Sequence, residues 1–205
     1  MEKSIYKNQF IIKYKMKDNY HFVAISGSLR KNSFNTMVVK AAQKLAPTDI
    51  GIEQLSIAEV PMYNFDLHEK VFPEPVEKIC IAIKAADAVI IVTPEYNYSI
   101  PGVLKNTIDF LSKHPLKPFD KKAVGIISAS PSLLGGVRAQ YHLRQILVAI
   151  NAMSMNIPEV VITEVNKKFD ETGNLTDEKT KEFLKKFVEA LAVHSSVLNN
   201  EVLIK

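Results

Sequence analysis

The sequence predicts a doubly wound α/β domain, a parallel sheet with helices on both faces, and three observations predict it. Short β-branched runs such as "DAVIIVTP" (87–94) recur along the chain, and their length suits strands buried on both faces. Between them lie longer segments with apolar residues at helical spacing. The two kinds alternate, which is the pattern of βαβ units.

Taken in order, "YHFVAIS" (20–26) is a strand. "NSFNTMVVKAAQKLA" (32–46) places Met37, Val38, Ala41, Ala42 and Leu45 on one helical face, and Pro47 stops it. "DIGIEQLSI" (49–57) alternates apolar and polar, like a strand with one wetter side. The stretch up to Pro73 is irregular, with Pro61 and Pro73 at its ends. "PEPVEKICIAIKAA" (73–86) is a helix, 87–94 a strand, and "SIPGVLKNTIDFLSK" (99–113) a helix with Pro101 in its first turn. "KAVGIISAS" (122–130) is a strand, "GGVRAQYHLRQILVAINA" (135–152) a helix, and "EVVITEV" (159–165) a last strand. A final amphipathic helix covers 176–196, opened by Thr176. The expectation is five strands and five helices.

At 205 residues and 47% hydrophobic content the chain suits one domain with a real core. One cysteine, Cys80, excludes an intrachain disulfide and suits a reducing, cytoplasmic setting. No apolar run is long enough for a membrane span, and no secretory signal is legible. The isoelectric point near 9.0 raises the question of nucleic acid. Lys3, Lys7, Lys13, Lys15 and Lys17 stand against Glu2 and Asp18, so three of the four net positive charges lie in residues 1–18. The basic character is therefore a flexible N-terminal extension (1–18) on a nearly neutral single domain (19–205), and a nucleic-acid partner is not expected.

In doubly wound sheets, ligands bind beyond the carboxyl ends of the strands, where the winding reverses. Three loops of unusual composition fall there. The first, "SGSLRKNSFN" (26–35), lacks both glycine-rich nucleotide fingerprints. It puts Ser26, Ser28, Arg30, Ser33 and Asn35 at a helix N-terminus, where hydroxyls, a guanidinium and backbone N–H groups suit a phosphate. Asn32 or Ser33 acting as a plain helix cap, with Arg30 solvated, explains the same residues. The second, "TPEYNYSIP" (93–101), offers Pro94, Glu95, Tyr96 and Asn97 on a stiff backbone with flat aromatic surfaces, suited to an aromatic ring. A proline-capped turn with its tyrosines on the sheet is the plainer account. The third, "SASPSLLGG" (128–136), has Gly135 and Gly136, which permit close backbone approach or simply open the next helix.

"GSLRKNSFN", "PEYNYSIPGVLKNTIDFLS" and "LLGGVRAQYHLRQIL", in this order and spacing, resemble the NADPH-dependent FMN reductase family over residues 20–195. The resemblance implies a flavodoxin-like fold, bound FMN, and NADPH or NADH as co-substrate, with two electrons passed to quinones, azo compounds or similar small acceptors. It implies that Ser26, Ser28, Arg30, Ser33 and Asn35 hold the FMN phosphate. Pro94, Glu95, Tyr96 and Asn97 would line the isoalloxazine, with Ser128 and the Gly135–Gly136 turn nearby. Ser132 departs from the family, where glycine is frequent, and the N-terminal extension is a second departure. No catalytic side chain is required, because the flavin carries the chemistry. The alternative is a flavodoxin-type electron carrier or flavin-binding sensor that does not oxidise nicotinamides.

The remaining chemistry-bearing residues point elsewhere. His21, His68, His114, His142 and His194 are scattered without metal-ligand spacing, and Cys80 sits on an apolar helix face as a filler. In helix 135–152, Leu143, Ile146, Leu147 and Ile150 are expected inward. Val137, Tyr141 and Val148 stand among Arg138, His142 and Arg144, a mixture that suits an interface. Similar family members are dimers or tetramers, so a homodimer or homotetramer is expected.

Overall fold

Seven residues, Tyr20–Ser26 (β1), run through the centre of the sheet with parallel neighbours on each side, in a computed structural model that describes residues 16–69 and 71–199. One neighbour is Ile50–Leu55 (β2), the other Ala88–Thr93 (β3), and Ala123–Ala129 (β4) lies beyond β3. The next column is not one strand but two. Met153–Ser154 (β5) pairs with the start of β4 and Val160–Ile162 (β6) with its end. The expected last strand, 159–165, thus shrinks to three residues, and the sheet has six strands in five columns. Pro158 lies in the gap, and a residue without an N–H cannot carry a ladder onward.

The helices are Phe34–Leu45 (α1), Glu74–Ala85 (α2), Gly102–Lys113 (α3), Val137–Ala149 (α4) and Glu178–Asn199 (α5). Strand pleating divides the core into two layers. Phe22, Ala24, Ile90 and Val92 face α1 and α5, against Val38, Phe187 and Leu191. Val23, Ile25, Val89 and Ile91 face α2, α3 and α4, against Ile79, Leu104 and Leu143. Column order β2-β1-β3-β4 followed by the broken fifth is the flavodoxin-like order, whose winding reverses between β1 and β3.

Helix ends depart slightly from expectation. Pro101 is the N-cap of α3 rather than a residue of its first turn. Asp177, not Thr176, opens α5: its carboxylate accepts from the Thr180 backbone N–H at 2.8 Å and from the Thr180 hydroxyl, while Thr176 bonds the Lys168 carbonyl. Leu143 and Leu147 of α4 are buried as expected, whereas Ile146 and Ile150 are half-buried.

The basic extension lies mostly outside the described residues, including the apolar stretch "FIIKY" (10–14). Its last residues are tied down. The Lys17 backbone N–H donates to the Tyr20 hydroxyl at 3.0 Å, and the Lys17 ammonium pairs with Asp87. Among the described residues no helix is long and apolar enough to cross a membrane. Cys80 is buried, and burial pushes its thiol up to about 11, which removes it as a nucleophile at neutral pH.

Candidate active site

The first loop is held by weak internal bonds. Ser26 and Ser28 are buried, with the Ser28 backbone N–H donating to Ser26 Oγ at 3.4 Å and the Arg30 N–H to Ser28 Oγ at 3.4 Å. Ser33 caps α1: its Oγ accepts from the N–H groups of Asn35 (3.2 Å) and Thr36 (3.5 Å). The cap reading is therefore right for Ser33, and it leaves the other side chains unexplained. Arg30 is exposed and has no carboxylate partner among the described residues. Asn35 is only 4% exposed, and its Nδ2 donates to the Ala129 carbonyl at 3.3 Å. Its Oδ1 is buried without a partner, an acceptor that a protein interior normally satisfies.

These residues open onto one depression of 110 Å³. Ser28, Arg30, Ser33 and Asn35 line it from the first loop, Pro94, Glu95 and Tyr96 from the second, and Ala129 and Ser130 from the third. Folding brings the three loops together because β1, β3 and β4 are adjacent parallel columns whose carboxyl ends share one edge. Its size suits a phosphate rather than a tricyclic ring. The N-terminal end of α1 and the Arg30 charge favour an anion there. The Arg30 guanidinium and the Ser28 hydroxyl, as donors, fit the phosphate end of FMN. Ser26, Asn97, Ser128, Gly135 and Gly136 do not line this depression.

The second loop is rigid for internal reasons. Tyr96 and Ser99 exchange backbone hydrogen bonds at 2.9 and 3.0 Å, closing a two-residue turn over Asn97 (φ 49°) and Tyr98 (φ 68°). Positive φ at both positions marks a primed turn, which asparagine tolerates and tyrosine resists. Tyr98 is held there by the Arg138 guanidinium, 4.0 Å from its ring centroid. Glu95 caps α4 instead of lying free: its carboxylate accepts from the Arg138 N–H at 3.0 Å, the Ala139 N–H at 3.4 Å and the Arg138 side chain at 3.2 Å. One residue thereby joins the second loop to the third.

In the third loop both glycines have positive φ. A Cβ on Gly135 would stand 2.6 Å from Val161 Cγ1, and one on Gly136 would stand 3.0 Å from Ser128 Cβ. Packing alone demands Gly135. Ser128 is fully buried, and its hydroxyl accepts from Gln140 Nε2 at 3.0 Å, while the same amide donates to the Val160 carbonyl at 2.7 Å. Sequence reasoning missed Gln140, the Arg138 link to Glu95, and Thr36, whose hydroxyl donates to Ser26 Oγ at 3.1 Å. Gln140 and Arg138 lie within one turn of the glycine pair, the only local hint. Their partners are 12 to 43 residues away in sequence.

Comparison with known proteins gives the family. The model of the NADPH-dependent FMN reductase family matches residues 20–167. An NAD(P)H-dependent FMN reductase of Pseudomonas aeruginosa is 43% identical over 176 residues, covering 86% of this chain and 95% of the relative. A quinone reductase of Escherichia coli K12 is 46% identical over 172 residues, covering 82% and 92%. Among solved structures, a flavoenzyme NAD(P)H:(acceptor) oxidoreductase from Paracoccus denitrificans superposes with a TM-score of 0.79 at 35% identity, covering 86% of this chain and 97% of that one. With that match over most of its length, the chain belongs to the NADPH-dependent FMN reductase family.

Proposed function

We propose that the chain is an FMN-dependent NAD(P)H oxidoreductase acting on quinones, azo compounds or similar small acceptors. The convergence of the three loops on one depression, at the N-terminus of α1 and beside the Arg30 charge, carries this reading. Bound FMN would supply the chemistry, accepting hydride from the nicotinamide and delivering two electrons to the acceptor. The protein's part is to bind and orient. Ser28, Arg30 and Asn35 hold the phosphate end, with Ser33 fixing the helix terminus beneath it. Ser26 acts one step back, as the partner of Ser28 and Thr36. Pro94, Glu95, Tyr96 and Asn97 give the ring a preformed edge, since their turn is braced before any ligand arrives. Ser128, Gly135 and Gly136 support the third loop from below.

Anaerobic mixing of the FMN-loaded protein with NADPH and with NADH tests the reading. Rapid bleaching of the flavin, followed by reoxidation on adding benzoquinone, is expected. An unchanged spectrum with both nicotinamides would leave an electron carrier or a flavin-binding sensor. Assembly as a homodimer or homotetramer is supported by α4, whose Tyr141 and Val148 are 52% and 75% exposed beside Arg138 and Arg144. A strictly monomeric mass by light scattering at micromolar concentration would overturn it. A cytoplasmic setting is supported by the single, buried, unpaired cysteine.

A further inference from the structure

Tyr98 stands in a backbone conformation that its side chain resists. Its φ of 68° is left-handed, in a primed turn where asparagine or glycine is the ordinary choice. A strained residue persists only where its surroundings hold it, and such residues gather at functional sites. Burial does not account for the tyrosine either, since it is 64% exposed. Among the described residues, the packing on its ring is the Arg138 guanidinium, 4.0 Å from the centroid.

Turn and ring are both fixed. The Tyr96 and Ser99 backbones exchange hydrogen bonds at 2.9 and 3.0 Å, and the Ser99 hydroxyl lies 3.0 Å from His142 Nδ1 on α4. The Arg138 guanidinium is itself anchored by Glu95 at 3.2 Å, so it covers one face of the ring from a set position. A ring so covered and still largely exposed turns its other face to solvent. Two links tie it to the three-loop depression. Glu95, which holds Arg138, lines the depression, and so does Tyr96 of the same turn.

We propose that the open face of Tyr98 receives the ring of a flat conjugated acceptor and makes the protein favour such acceptors over compact, non-planar ones. This rests on the reading of the chain as an NAD(P)H oxidoreductase. The chemistry follows from the ring. The face of a phenol is electron-rich and the ring of a quinone is electron-poor, so the two attract when stacked with an offset. A ring already fixed from behind by Arg138 loses little freedom when the acceptor arrives. Asparagine at this position would relax the backbone but offer no such face, which is a physical reason to keep a strained tyrosine.

The test uses the full-length FMN-loaded protein and whichever nicotinamide bleaches its flavin, with menadione or ferricyanide as acceptor. Each nicotinamide oxidised reduces one menadione by two electrons, or two ferricyanide ions by one electron each. Wild type, Tyr98→Phe and Tyr98→Asn are compared by the ratio of kcat/KM for menadione to kcat/KM for ferricyanide. Loss of one stacked ring should lower that ratio about two- to tenfold in Tyr98→Asn, mainly through the KM for menadione. Tyr98→Phe should keep it. The melting temperature and FMN content of Tyr98→Asn should stay close to wild type, because asparagine accepts the left-handed backbone. An unchanged ratio, or an equal fall with Tyr98→Phe, would overturn the proposal. So would a lower mass of Tyr98→Asn in light scattering, which would put the ring against a second copy instead. If wild type oxidises neither nicotinamide, the activity reading fails, and equilibrium dialysis of menadione against the FMN-loaded protein decides the ring separately. Binding that Tyr98→Asn weakens and Tyr98→Phe keeps upholds the stacking face; no binding by wild type, or equal binding by all three, removes it.

Discussion

The first loop and the pair formed by the second and third loops border one depression, yet they are built in opposite ways. In the pair, the charged groups are spent on the protein itself: Glu95 caps α4 and Arg138 covers Tyr98. The Gln140 amide N–H groups tie Ser128 to β6, although Gln140 Oε1 is buried without a partner, as Asn35 Oδ1 is in the first loop. The first loop joins Ser26 to Ser28 by bonds of 3.4–3.5 Å and leaves the Arg30 charge without a carboxylate partner among the described residues. The difference separates two tasks. On the reading proposed above, the braced region would present a fixed surface to a flat ring, and the first loop, with its free charge, would take the charged end of the same ligand. Damage to the first kind of region falls on stability, and damage to the second falls on affinity.

The strongest test of that separation is Gly135→Ala. A left-handed residue bearing a Cβ costs about 1–2 kcal/mol, and forcing that Cβ toward Val161 adds about 1–3 kcal/mol. Urea denaturation should show a loss of about 2–5 kcal/mol with or without FMN present. If instead only the FMN-loaded protein loses stability, the glycine serves the ligand and the comparison breaks.

Next in size is Arg30→Ala. Loss of one hydrogen bond to a charged group should weaken FMN binding about ten- to a hundredfold. Riboflavin, which lacks the phosphate, should be affected much less, and the urea midpoint of the apoprotein should hardly move. Fluorescence titration of the apoprotein with both flavins decides this. A riboflavin loss as steep as the FMN loss would return the whole first loop to the role of a helix cap.

The smallest effect is expected outside both regions. We propose that the domain begins at the Lys17 contacts with Tyr20 and Asp87, so deleting residues 1–15 should change neither the FMN content nor the melting temperature by a measurable amount. A clear drop in either would give the extension a packing role on the body or on a second copy.

Much of the fold was legible in the residues. Strands of unbroken β-branched sequence, as in β3, and helices with a clean apolar stripe, as in α1, announce themselves through spacing alone. The broken fifth column was not legible, because two- and three-residue strands carry no period, and only the β4 edge makes them strands. In the site, residue types in the first loop pointed to an anion because short hydroxyl side chains at a helix N-terminus act locally. The role of Glu95 could not be read that way. Its partners on α4 lie 43 residues on, and only the adjacency of β3 and β4 brings them within reach.

By itself, then, the sequence determined the α/β class, the three loops that border the site and the family, since each depends on patterns within a few residues or on motifs in order. Tertiary structure alone decided which loop residues line the depression and which hold up the fold. It also decided that Arg138 of α4 should lie over the Tyr98 ring of the second loop. The physical reason is distance along the chain: hydrogen bonds and charges act over a few ångströms, and only packing of the sheet and helices brings residues far apart in sequence that close.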